Sequence, residues 1–572
     1  MEFNIRITGA AGQGMQTAAD LLGRTLLRAG LHVFIHQDIE SRIRGGVNFS
    51  QLRCADRPVH APVERVDLLV SLSPESLRTH APTVSAGGMI FSTTPVEPAD
   101  CPRCAPFFLS EIAKKAGNDK TVSTVAAAVA ACALDLPAAV LDALVDERFG
   151  ASEKLADVNR RALQLTREAM QEAGLTGRLS LPAGSEAPAG ATTDRLFVSG
   201  AASVALGALA GGCTFMAAYP MSPATGIMTT LSELTHDCGI WVEQAEDEIA
   251  AINMVAGASY AGARSLTASS GGGFALMTEG VSLLGMIECP AVIVIAQRPG
   301  PATGLPTRTA QGDLRLALNA GHGRFARVIL APRTVSEAYS LTARAFDLAE
   351  RYQIPVFVLT DQILQDCQTI IDRPSVSPVT RHILTSEQAG TLPSYERYAL
   401  TDDGISPMAL PGRSRHLVCV DSDEHDPRGH LIEDAAGSAA MAAKRLRKIA
   451  TVDAAAPLPE CTTHDPALPL VVSWGTTSPV VGEALEVLNA EGPRFNHMQV
   501  TQLWPLPDLK AIPAFSACSR LILVEHSVGD GLDGVLAQTQ LRGVDAFIGK
   551  LDGRPFTVEE LTDRIGKEDH HG

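Results

Sequence analysis

Residues 213–304 constrain the fold most strongly, because apolar strands alternate there with helices and polar residues mark the junctions. An apolar run ends at Tyr219, and Ser222 follows as a predicted helix N-cap with a proline in the first turn. A second junction is the small-residue turn SSGGG at 269–273. Helix starts offer backbone N–H groups and the positive end of a dipole to a carboxylate or phosphate. The segment therefore predicts a parallel α/β sheet with a ligand site at its strand ends.

Four carboxylates precede the next predicted helix, namely Glu243, Glu246, Asp247 and Glu248. Acidic residues in a first helical turn complement the dipole, so a purely structural role is open to them. Glu248 shares a helical face with Ile252, and Asp247 shares one with Ala251. Both faces include apolar residues, so periodicity alone does not choose between the two carboxylates.

The amino-terminal region predicts a separate α/β domain. The strand FNIRITG leads into a turn with Gly9, Gly12 and Gly14, then a helix, then the strand HVFIHQD ending at Asp38. A strand, glycine turn, helix and strand ending in an acid also fit a dinucleotide site, so NAD or FAD binding is a rival interpretation. The glycine spacing is GxxGxG instead of GxGxxG, which weakens that interpretation.

Composition describes a soluble globular protein of several domains. The 572 residues are 45% hydrophobic and 19% charged, with a formal net charge of −17, which argues against binding to nucleic acid or to an anionic membrane surface. No basic segment followed by an apolar core begins the chain, so we expect a cytoplasmic protein. Among its eleven cysteines, Cys101 and Cys104 form a CxxC, which we interpret as reduced thiols in a loop because two ligands cannot hold a cluster or a structural zinc.

The predicted domains follow from shifts in composition. We expect a first α/β domain at 1–178, a Pro/Gly/Ala-rich linker at 179–193 and a doubly wound parallel sheet at 194–372. An irregular arm or interface segment follows at 373–467, and a second small α/β domain at 468–572. The segment DSDEHD at 421–426 lies in the arm, and we interpret it as a solvated loop and not as a metal site.

Several of these motifs resemble one family, the 2-oxoacid:ferredoxin oxidoreductases. YPMSPAT resembles the YPxTP(S/T) segment of the subunit that carries the pyrimidine-side domain for thiamine diphosphate, with Ser222 where many members have threonine. The resemblance implies that Glu248 contacts the aminopyrimidine ring of the cofactor. It also implies that Arg308, in GLPTRT, pairs with the substrate carboxylate, while Tyr219 and Ser222 orient the 2-oxo acid.

The resemblance extends to both ends of the chain. SRIRGGVNFSQLR resembles the gamma domain of the same enzymes, and its Arg42 and Arg44 either face an anionic ligand or lie on the surface. The last domain resembles the carboxy-terminal domain of transketolase-like enzymes. The predicted fold class is thus a gamma-type α/β domain, a pyrimidine-type thiamine diphosphate fold and a transketolase-like α/β domain.

The resemblance also implies an incomplete active site. Gly529-Asp530-Gly531 begins like the GDG…N motif that holds Mg²⁺ and the cofactor diphosphate, but no asparagine follows it. A beta subunit is therefore expected to supply the Mg²⁺ and diphosphate site and a [4Fe-4S] cluster. Coenzyme A and ferredoxin are the further reactants, and the expected assembly is a dimer of alpha–beta heterodimers.

The expected activity is the coenzyme A-dependent conversion of 2-oxoglutarate with electron transfer to or from ferredoxin. A branched-chain or general 2-oxoacid specificity is the nearest alternative. An NAD- or FAD-linked oxidoreductase that uses the amino-terminal glycine turn, and a non-catalytic scaffold subunit, are alternatives from other classes.

Overall fold

A computed structural model describes residues 2–41, 45–95, 101, 103–179 and 194–568. The first of two compact units comprises Met1–Ser199, Asp366–Pro374 and Thr557–Glu559, and the second comprises the remainder. Arg42, Arg44 and linker residues 180–193 lie outside the described residues. No helix within the described ranges is long and apolar enough to cross a bilayer.

The first unit is built on one mixed sheet of eight strands. Its strands are β1 (Glu2–Ala11), β2 (His32–Asp38), β3 (Gly45–Ala55), β4 (Val66–Ser71), β5 (Val84–Ser92), β6 (Cys104–Phe108), β7 (Arg195–Ser199) and β14 (Gln368–Asp372), in the order β6-β5-β4-β1-β3-β2-β14-β7. β1 pairs parallel with β4 and antiparallel with β3. Alternation along β1 directs Ile5 and Ile7 into the main core of the unit.

Six helices accompany this sheet. They are α1 (Met15–Arg28), α2 (Pro74–His80), α3 (Leu109–Ala116), α4 (Val122–Ala133), α5 (Ala138–Phe149) and α6 (Glu153–Glu172). The alanine-rich α4 is buried along most of its length, because small side chains let α1 and α6 pack closely against it. Leu179, the first residue of the predicted linker, packs against the same core.

The strand order beside the amino-terminal glycine turn differs from that of a dinucleotide-binding fold. Gly14 adopts a φ of 83° at the N-cap of α1, a conformation that glycine reaches without strain. However, β3 lies between β1 and β2 and is antiparallel to both. Asp38, at the end of β2, is therefore two strand spacings from the turn instead of on the neighbouring parallel strand.

The second unit contains a seven-stranded sheet in the order β18-β12-β13-β11-β10-β8-β9. These strands are β8 (Phe215–Ala218), β9 (Trp241–Gln244), β10 (Ser265–Ser269), β11 (Ala291–Gln297), β12 (Val328–Leu330), β13 (Pro355–Asp361) and β18 (Gln502–Trp504). All neighbours pair in parallel except β12 and β18. The near-continuous apolar sequences of β11 and β13 fit strands that are covered on both faces.

A five-stranded sheet completes the second unit. Its strands are β15 (Glu460–Thr462), β16 (Leu470–Trp474), β17 (Asn496–Val500), β19 (Leu521–Glu525) and β20 (Ala546–Gly549), in the order β15-β17-β16-β19-β20. Only β15 pairs antiparallel. One hydrophobic core contains residues of both sheets, for example Ile293 and Trp474.

The helices that follow residue 199 range from four to twenty residues. They are α7 (Gly200–Ala210), α8 (Thr225–Glu233), α9 (Thr235–Cys238), α10 (Glu248–Tyr260), α11 (Gly271–Leu276), α12 (Thr278–Met286), α13 (Leu314–Leu318), α14 (Val335–Tyr352), α15 (Gln362–Asp366), α16 (Ser386–Thr391), α17 (Ala435–Ala454), α18 (Thr477–Leu488), α19 (Pro513–Ala517), α20 (Leu532–Gln540) and α21 (Val558–Glu568). Thr334 caps α14 by accepting a hydrogen bond from the Glu337 N–H.

Two predictions about elements are wrong. The segment RLFVSG begins the predicted parallel sheet of residues 194–372. In the structure it instead forms β7 of the first sheet, antiparallel to β14. The expected irregular stretch at 373–460 contains the twenty-residue helix α17. Its basic, alanine-rich sequence lacks a clear apolar stripe, which hid the helical period.

The DSDEHD segment is more tightly held than a solvated loop. Glu424 forms a bidentate ion pair with Arg445, at 2.9 and 2.6 Å. His425 is fully buried and its ring centroid lies 4.0 Å from that of Tyr398. The cysteines of the described residues are free thiols, and the Sγ atoms of Cys101 and Cys104 are 2.8 Å apart.

Candidate active site

The loop after β8 carries the predicted residues Tyr219 and Ser222. Tyr219 is 40% exposed, and Ser222 is also exposed. Ser222 does not cap a helix, because α8 begins three residues later with Ala224 at its N-cap and no side-chain cap. The expected N-cap role of Ser222 is therefore wrong. Its hydroxyl remains available on the loop, and its backbone carbonyl accepts from Arg298 Nη1 at 2.7 Å.

The start of α10 gives Asp247 and Glu248 different environments. Asp247 is exposed and is the N-cap, because its Oδ1 accepts from the Ala250 N–H at 2.8 Å. Glu248 is only 3% exposed and lies on the same buried face as Ile252 and Val255. Its Oε1 is buried and has no hydrogen-bond partner among the residues that the structure describes. A buried carboxylate oxygen without a donor is costly, so it indicates a group that a ligand satisfies.

The turn after β10 faces this unpartnered oxygen. A Cβ added to Gly273, in the first turn of α11, would overlap both Glu248 Oε1 and Ser269 Oγ. The Ser270 hydroxyl contacts Met221 Sδ at 2.7 Å, which joins this turn to the loop after β8. Glycine at 273 therefore leaves open the space beside Glu248, and only a residue without a side chain does so.

A third segment, the loop between β11 and α13, adds a buried carboxyl and a guanidinium. Arg298 holds the Ser222 carbonyl, and Asp313 lies where a Cβ on Gly271 would collide with its carboxylate. Burial raises the pKa of Asp313 to about 6, and Arg298 acts in the opposite direction. Asp313 Oδ2 is buried and has no hydrogen-bond partner. Such a carboxyl is able to exchange a proton near neutral pH.

Arg308 lies further along the same loop. It is half-buried, and its Cβ is close to Gly553, in the loop after β20. The next residue, Thr309, donates its N–H to the Gly553 carbonyl at 3.0 Å. The loop is anchored again at Gln311, whose amide donates to the Trp474 carbonyl and accepts from the Thr477 hydroxyl. The ends of β16 and β20 therefore fix the segment that presents Arg308.

Sequence reasoning missed Arg298, Asp313 and Asp361. Asp361 ends β13, and burial raises its pKa to about 6 although the Thr476 hydroxyl and Leu364 N–H donate to it. Each of the three stands at the end of a strand or just before a helix, which is the position that predicted the other candidates. The segments AQRPG, QGDL and VLTDQ contain that signal, but strand-end position alone did not single out their charged residues.

The GDG segment does not form a metal site in the described structure. Asp530 pairs with Arg315, so its carboxylate already has a cationic partner. Among the described residues, no three His, Cys, Asp or Glu side chains are grouped so that they would hold a metal ion.

The cluster formed by the strand ends fits the aminopyrimidine end of thiamine diphosphate. Glu248 offers an unpartnered carboxylate oxygen to a ring nitrogen, and Gly273 leaves room for the ring.

Two family models and several known proteins are similar to this chain. Residues 206–444 match the family model described as pyruvate flavodoxin/ferredoxin oxidoreductase, thiamine diphosphate-binding, and residues 4–169 match the pyruvate ferredoxin/flavodoxin oxidoreductase model. The chain is 29% identical to the 2-oxoacid:ferredoxin oxidoreductase subunit alpha of a Sulfolobus species, over 99% of this chain and 97% of the relative. It is 32% identical to the 2-oxoglutarate synthase subunit KorA of Methanothermobacter thermautotrophicus, over 66% of this chain and 99% of the relative.

A solved structure is similar over the full length. The 2-oxoglutarate:ferredoxin oxidoreductase from Magnetococcus marinus, with 2-oxoglutarate, coenzyme A and succinyl-CoA bound, matches with a TM-score of 0.89 and 29% identity, covering 100% of both chains. The predicted multidomain α/β fold class is confirmed. On these matches, the chain belongs to the 2-oxoacid:ferredoxin oxidoreductase family and is of its alpha type.

Proposed function

We propose that this chain is the alpha subunit of a coenzyme A-dependent 2-oxoglutarate:ferredoxin oxidoreductase. The complex interconverts 2-oxoglutarate and coenzyme A with succinyl-CoA and carbon dioxide, and exchanges the electrons with ferredoxin. The observation that carries the proposal is the buried, unpartnered Oε1 of Glu248 at the strand ends of the thiamine diphosphate-type domain.

Glu248 holds the aminopyrimidine ring in this proposal. Thiamine diphosphate, when bound, supplies the nucleophilic carbon and the electron sink for decarboxylation of the 2-oxo acid. The Glu248 carboxylate accepts a hydrogen bond from the ring nitrogen and thereby fixes the tautomer and orientation of the ring. Burial of Glu248 excludes water from that contact and strengthens it.

The substrate carboxylate binds among the loops that follow β8 and β11. Arg308 provides a guanidinium that pairs with a carboxylate through two parallel hydrogen bonds. Tyr219 and Ser222 place phenol and alcohol groups on the loop after β8, where they orient the 2-oxo group. Arg298 adds a second cation next to Ser222.

The site is completed by a beta subunit. That subunit supplies the Mg²⁺ and diphosphate site and the [4Fe-4S] cluster, and two alpha–beta heterodimers associate. Exposed apolar side chains near the site support a covering partner surface, namely Tyr219, Trp241, Ile249, Leu276 and Leu305. Relatives that cover nearly the whole chain are named as alpha subunits.

Two comparisons support 2-oxoglutarate as the substrate. A relative at 32% identity is named a 2-oxoglutarate synthase subunit, and the full-length structural match contains bound 2-oxoglutarate. A general 2-oxoacid:ferredoxin oxidoreductase is the second candidate, because the relative that covers 99% of this chain is named only for 2-oxoacids.

Reconstitution with the beta subunit tests the proposal. The complex should reduce ferredoxin or a viologen dye only when 2-oxoglutarate, coenzyme A and thiamine diphosphate are all present. Reduction of NAD⁺ by the alpha chain alone would favour the dinucleotide alternative. Full activity of a complex containing Glu248→Gln would instead favour a scaffold role for this chain.

A further inference from the structure

One cavity in the second unit shares no lining residue with the candidate active site around Glu248, Arg308 and Asp313, here called the strand-end site. Its volume is about 490 Å³, within the range of small-ligand pockets, which is roughly 300–1,000 Å³. Residues of α13, α17 and α20 line it, together with the segment that leads into β12. Arg327 and Trp504 lie at the amino end of β12, near one edge of this sheet. Glu248 lies beyond the carboxyl end of β9, the strand at the other edge.

Three arginines line the cavity, against one aspartate among the described lining residues. Arg315 pairs with Asp530, and Arg324 is exposed near Asp453 without a hydrogen bond or ion pair to a described residue. Counting Asp530, three guanidinium groups stand against two carboxylates, and this excess of positive charge favours an anionic ligand.

Arg327 is the most informative of these side chains. It is 7% exposed, and no described carboxylate lies within ion-pair distance of it. Its Nη1 donates to the carbonyls of Ala317 and Leu318, at 3.0 and 2.8 Å, at the end of α13. Burial lowers its pKa to about 10, so the guanidinium stays charged at neutral pH.

The hydrogen bonds to the end of α13 use only part of the donor capacity of the Arg327 guanidinium. Nη1 makes both bonds, while Nε and Nη2 have no acceptor among the described residues. A buried cation without a counter-charge is unfavourable unless an anion is nearby for part of the time. Guanidinium groups are also the usual partners of phosphate, because their N–H groups match two of its oxygens.

The remaining wall mixes polar side chains, among them Asn319 and Gln538, with aromatic ones. Trp504 and Phe325 line the cavity, and the Arg327 guanidinium lies 4.3 Å from the centroid of the Phe325 ring. Aromatic side chains in a cavity that also carries guanidinium groups suit a ligand that joins a flat ring to an anion. Inorganic phosphate alone would leave most of the volume and the indole unused.

We propose that this cavity binds a small organic phosphate of the size of a nucleoside monophosphate. The phosphate pairs with Arg324 and Arg327, and the base lies against Trp504. The proposal does not depend on the proposed function, because none of these residues belongs to the strand-end site.

Titration calorimetry of the full chain with AMP, and separately with inorganic phosphate, tests this site. We expect AMP to bind, and Arg324→Gln to weaken the affinity at least about tenfold, as loss of a charge-assisted hydrogen bond does. Trp504→Leu should weaken AMP binding and leave phosphate binding unchanged. The control Arg351→Gln, at an exposed position of α14, should have no effect because Arg351 pairs with Asp347 outside the cavity.

Arg324 is chosen over buried Arg327 because its replacement should not disturb folding. Absence of AMP binding to the wild-type chain at millimolar concentration would overturn the proposal. AMP binding that is equal in wild type, Arg324→Gln and Trp504→Leu would place the nucleotide elsewhere and would also overturn it.

Discussion

Asp247 and Glu248 are neighbours in sequence, yet the first turn of α10 gives them separate tasks. Asp247 satisfies a backbone N–H at the helix start, whereas Glu248 turns into the core and keeps one oxygen without a partner. Helical periodicity left the choice open, because both faces of α10 include apolar residues. The cap geometry shows which of the two carboxylates is buried, because a residue that caps a helix stays outside its buried face.

Glu248→Gln should lower turnover of the reconstituted complex by at least about a hundredfold, because loss of general acid–base help typically costs about 10²–10⁴-fold. The change keeps the size of the side chain, so circular dichroism and thermal unfolding should stay near wild type.

Asp247→Asn is the matched control. Asparagine also caps helices well, so stability should fall by less than about 1 kcal/mol and turnover should change little. Equal loss of turnover in the two variants would show that Glu248 is not the residue that holds the ring.

Gly273 provides a second test at the scale of one residue. Gly273→Ala places a methyl group against Glu248 Oε1 and Ser269 Oγ, so it should raise the thiamine diphosphate concentration required for half-maximal activity at least about tenfold. Gly272→Ala is the control, because its Cβ would meet only the Ala302 carbonyl at 3.6 Å, an ordinary contact. Cofactor titrations that respond equally to both variants would contradict the role given to Gly273.

At the scale of elements, a buried ionic cluster joins α17 to the turn before β11. Glu288, 2% exposed, accepts hydrogen bonds from Lys444 at 2.6 and 2.8 Å and also from Lys448. Arg397 donates to the Glu288 carbonyl at 2.7 Å. One carboxylate thus balances several buried cations, and removing it leaves them without a counter-charge.

Glu288→Gln should lower the free energy of unfolding by about 3–5 kcal/mol, the usual cost of breaking a buried pair from one side. Glu424→Gln is the control for another ion pair to α17, because Glu424 pairs with Arg445 of that helix nearer the surface and such pairs contribute about 0–1 kcal/mol. Denaturant unfolding of the two variants gives both values. A loss of stability at Glu288 no larger than at Glu424 would mean that the buried cluster does not hold α17.

The same cluster predicts a loss of stability in acid. Burial tends to raise the pKa of Glu288, but Lys448, Lys444 and Arg397 outweigh burial and hold that pKa at about 2, below its usual 4.5. The folded chain therefore binds the proton more weakly than the unfolded chain does. The stabilisation is complete above pH 4.5 and is lost as the pH falls from 4.5 towards 2. The stability difference between wild type and Glu288→Gln should shrink over that window.

Elements with a local signal were predictable, and elements that depend on distant partners were not. β11 and β13 are apolar runs between turns, and α14 has its own cap, so sequence alone located them. β7 is an equally apolar run, but its partner β14 is about 170 residues away, and no local pattern tells which sheet it joins. Lys444 and Lys448 look like surface residues in sequence, because only the fold brings Glu288 to them.

At the scale of the whole molecule, the chain should be inactive alone. In the proposed function, Glu248 and the loop that carries Arg308 provide the pyrimidine side of a thiamine diphosphate site, and no asparagine follows the GDG segment. We expect native mass spectrometry of the isolated chain to show no thiamine diphosphate, and the reconstituted complex to retain it. Stoichiometric cofactor on the isolated chain would contradict the division of the site between two subunits.

The last prediction concerns the substrate of the assembled enzyme. All 2-oxo acids share the carboxylate next to the oxo group, for which Arg308 is the proposed partner, but 2-oxoglutarate carries a second carboxylate. Burying that charge unpaired costs several kcal/mol, so an enzyme for 2-oxoglutarate requires a second cationic or donor-rich site. Arg298, beside Ser222, is a candidate on this chain, and the beta subunit is the other source.

Coenzyme A-dependent dye reduction with each acid in turn gives the comparison. We expect kcat/KM for 2-oxoglutarate to exceed the values for pyruvate and 2-oxoisovalerate by at least about tenfold, the ratio that corresponds to 1.4 kcal/mol. Arg308→Met should lower kcat/KM for all three acids by similar factors, because it removes the partner of the shared carboxylate. A value for pyruvate or 2-oxoisovalerate equal to or above that for 2-oxoglutarate would instead assign the complex to the general 2-oxoacid enzymes, which have no need of a second cationic site.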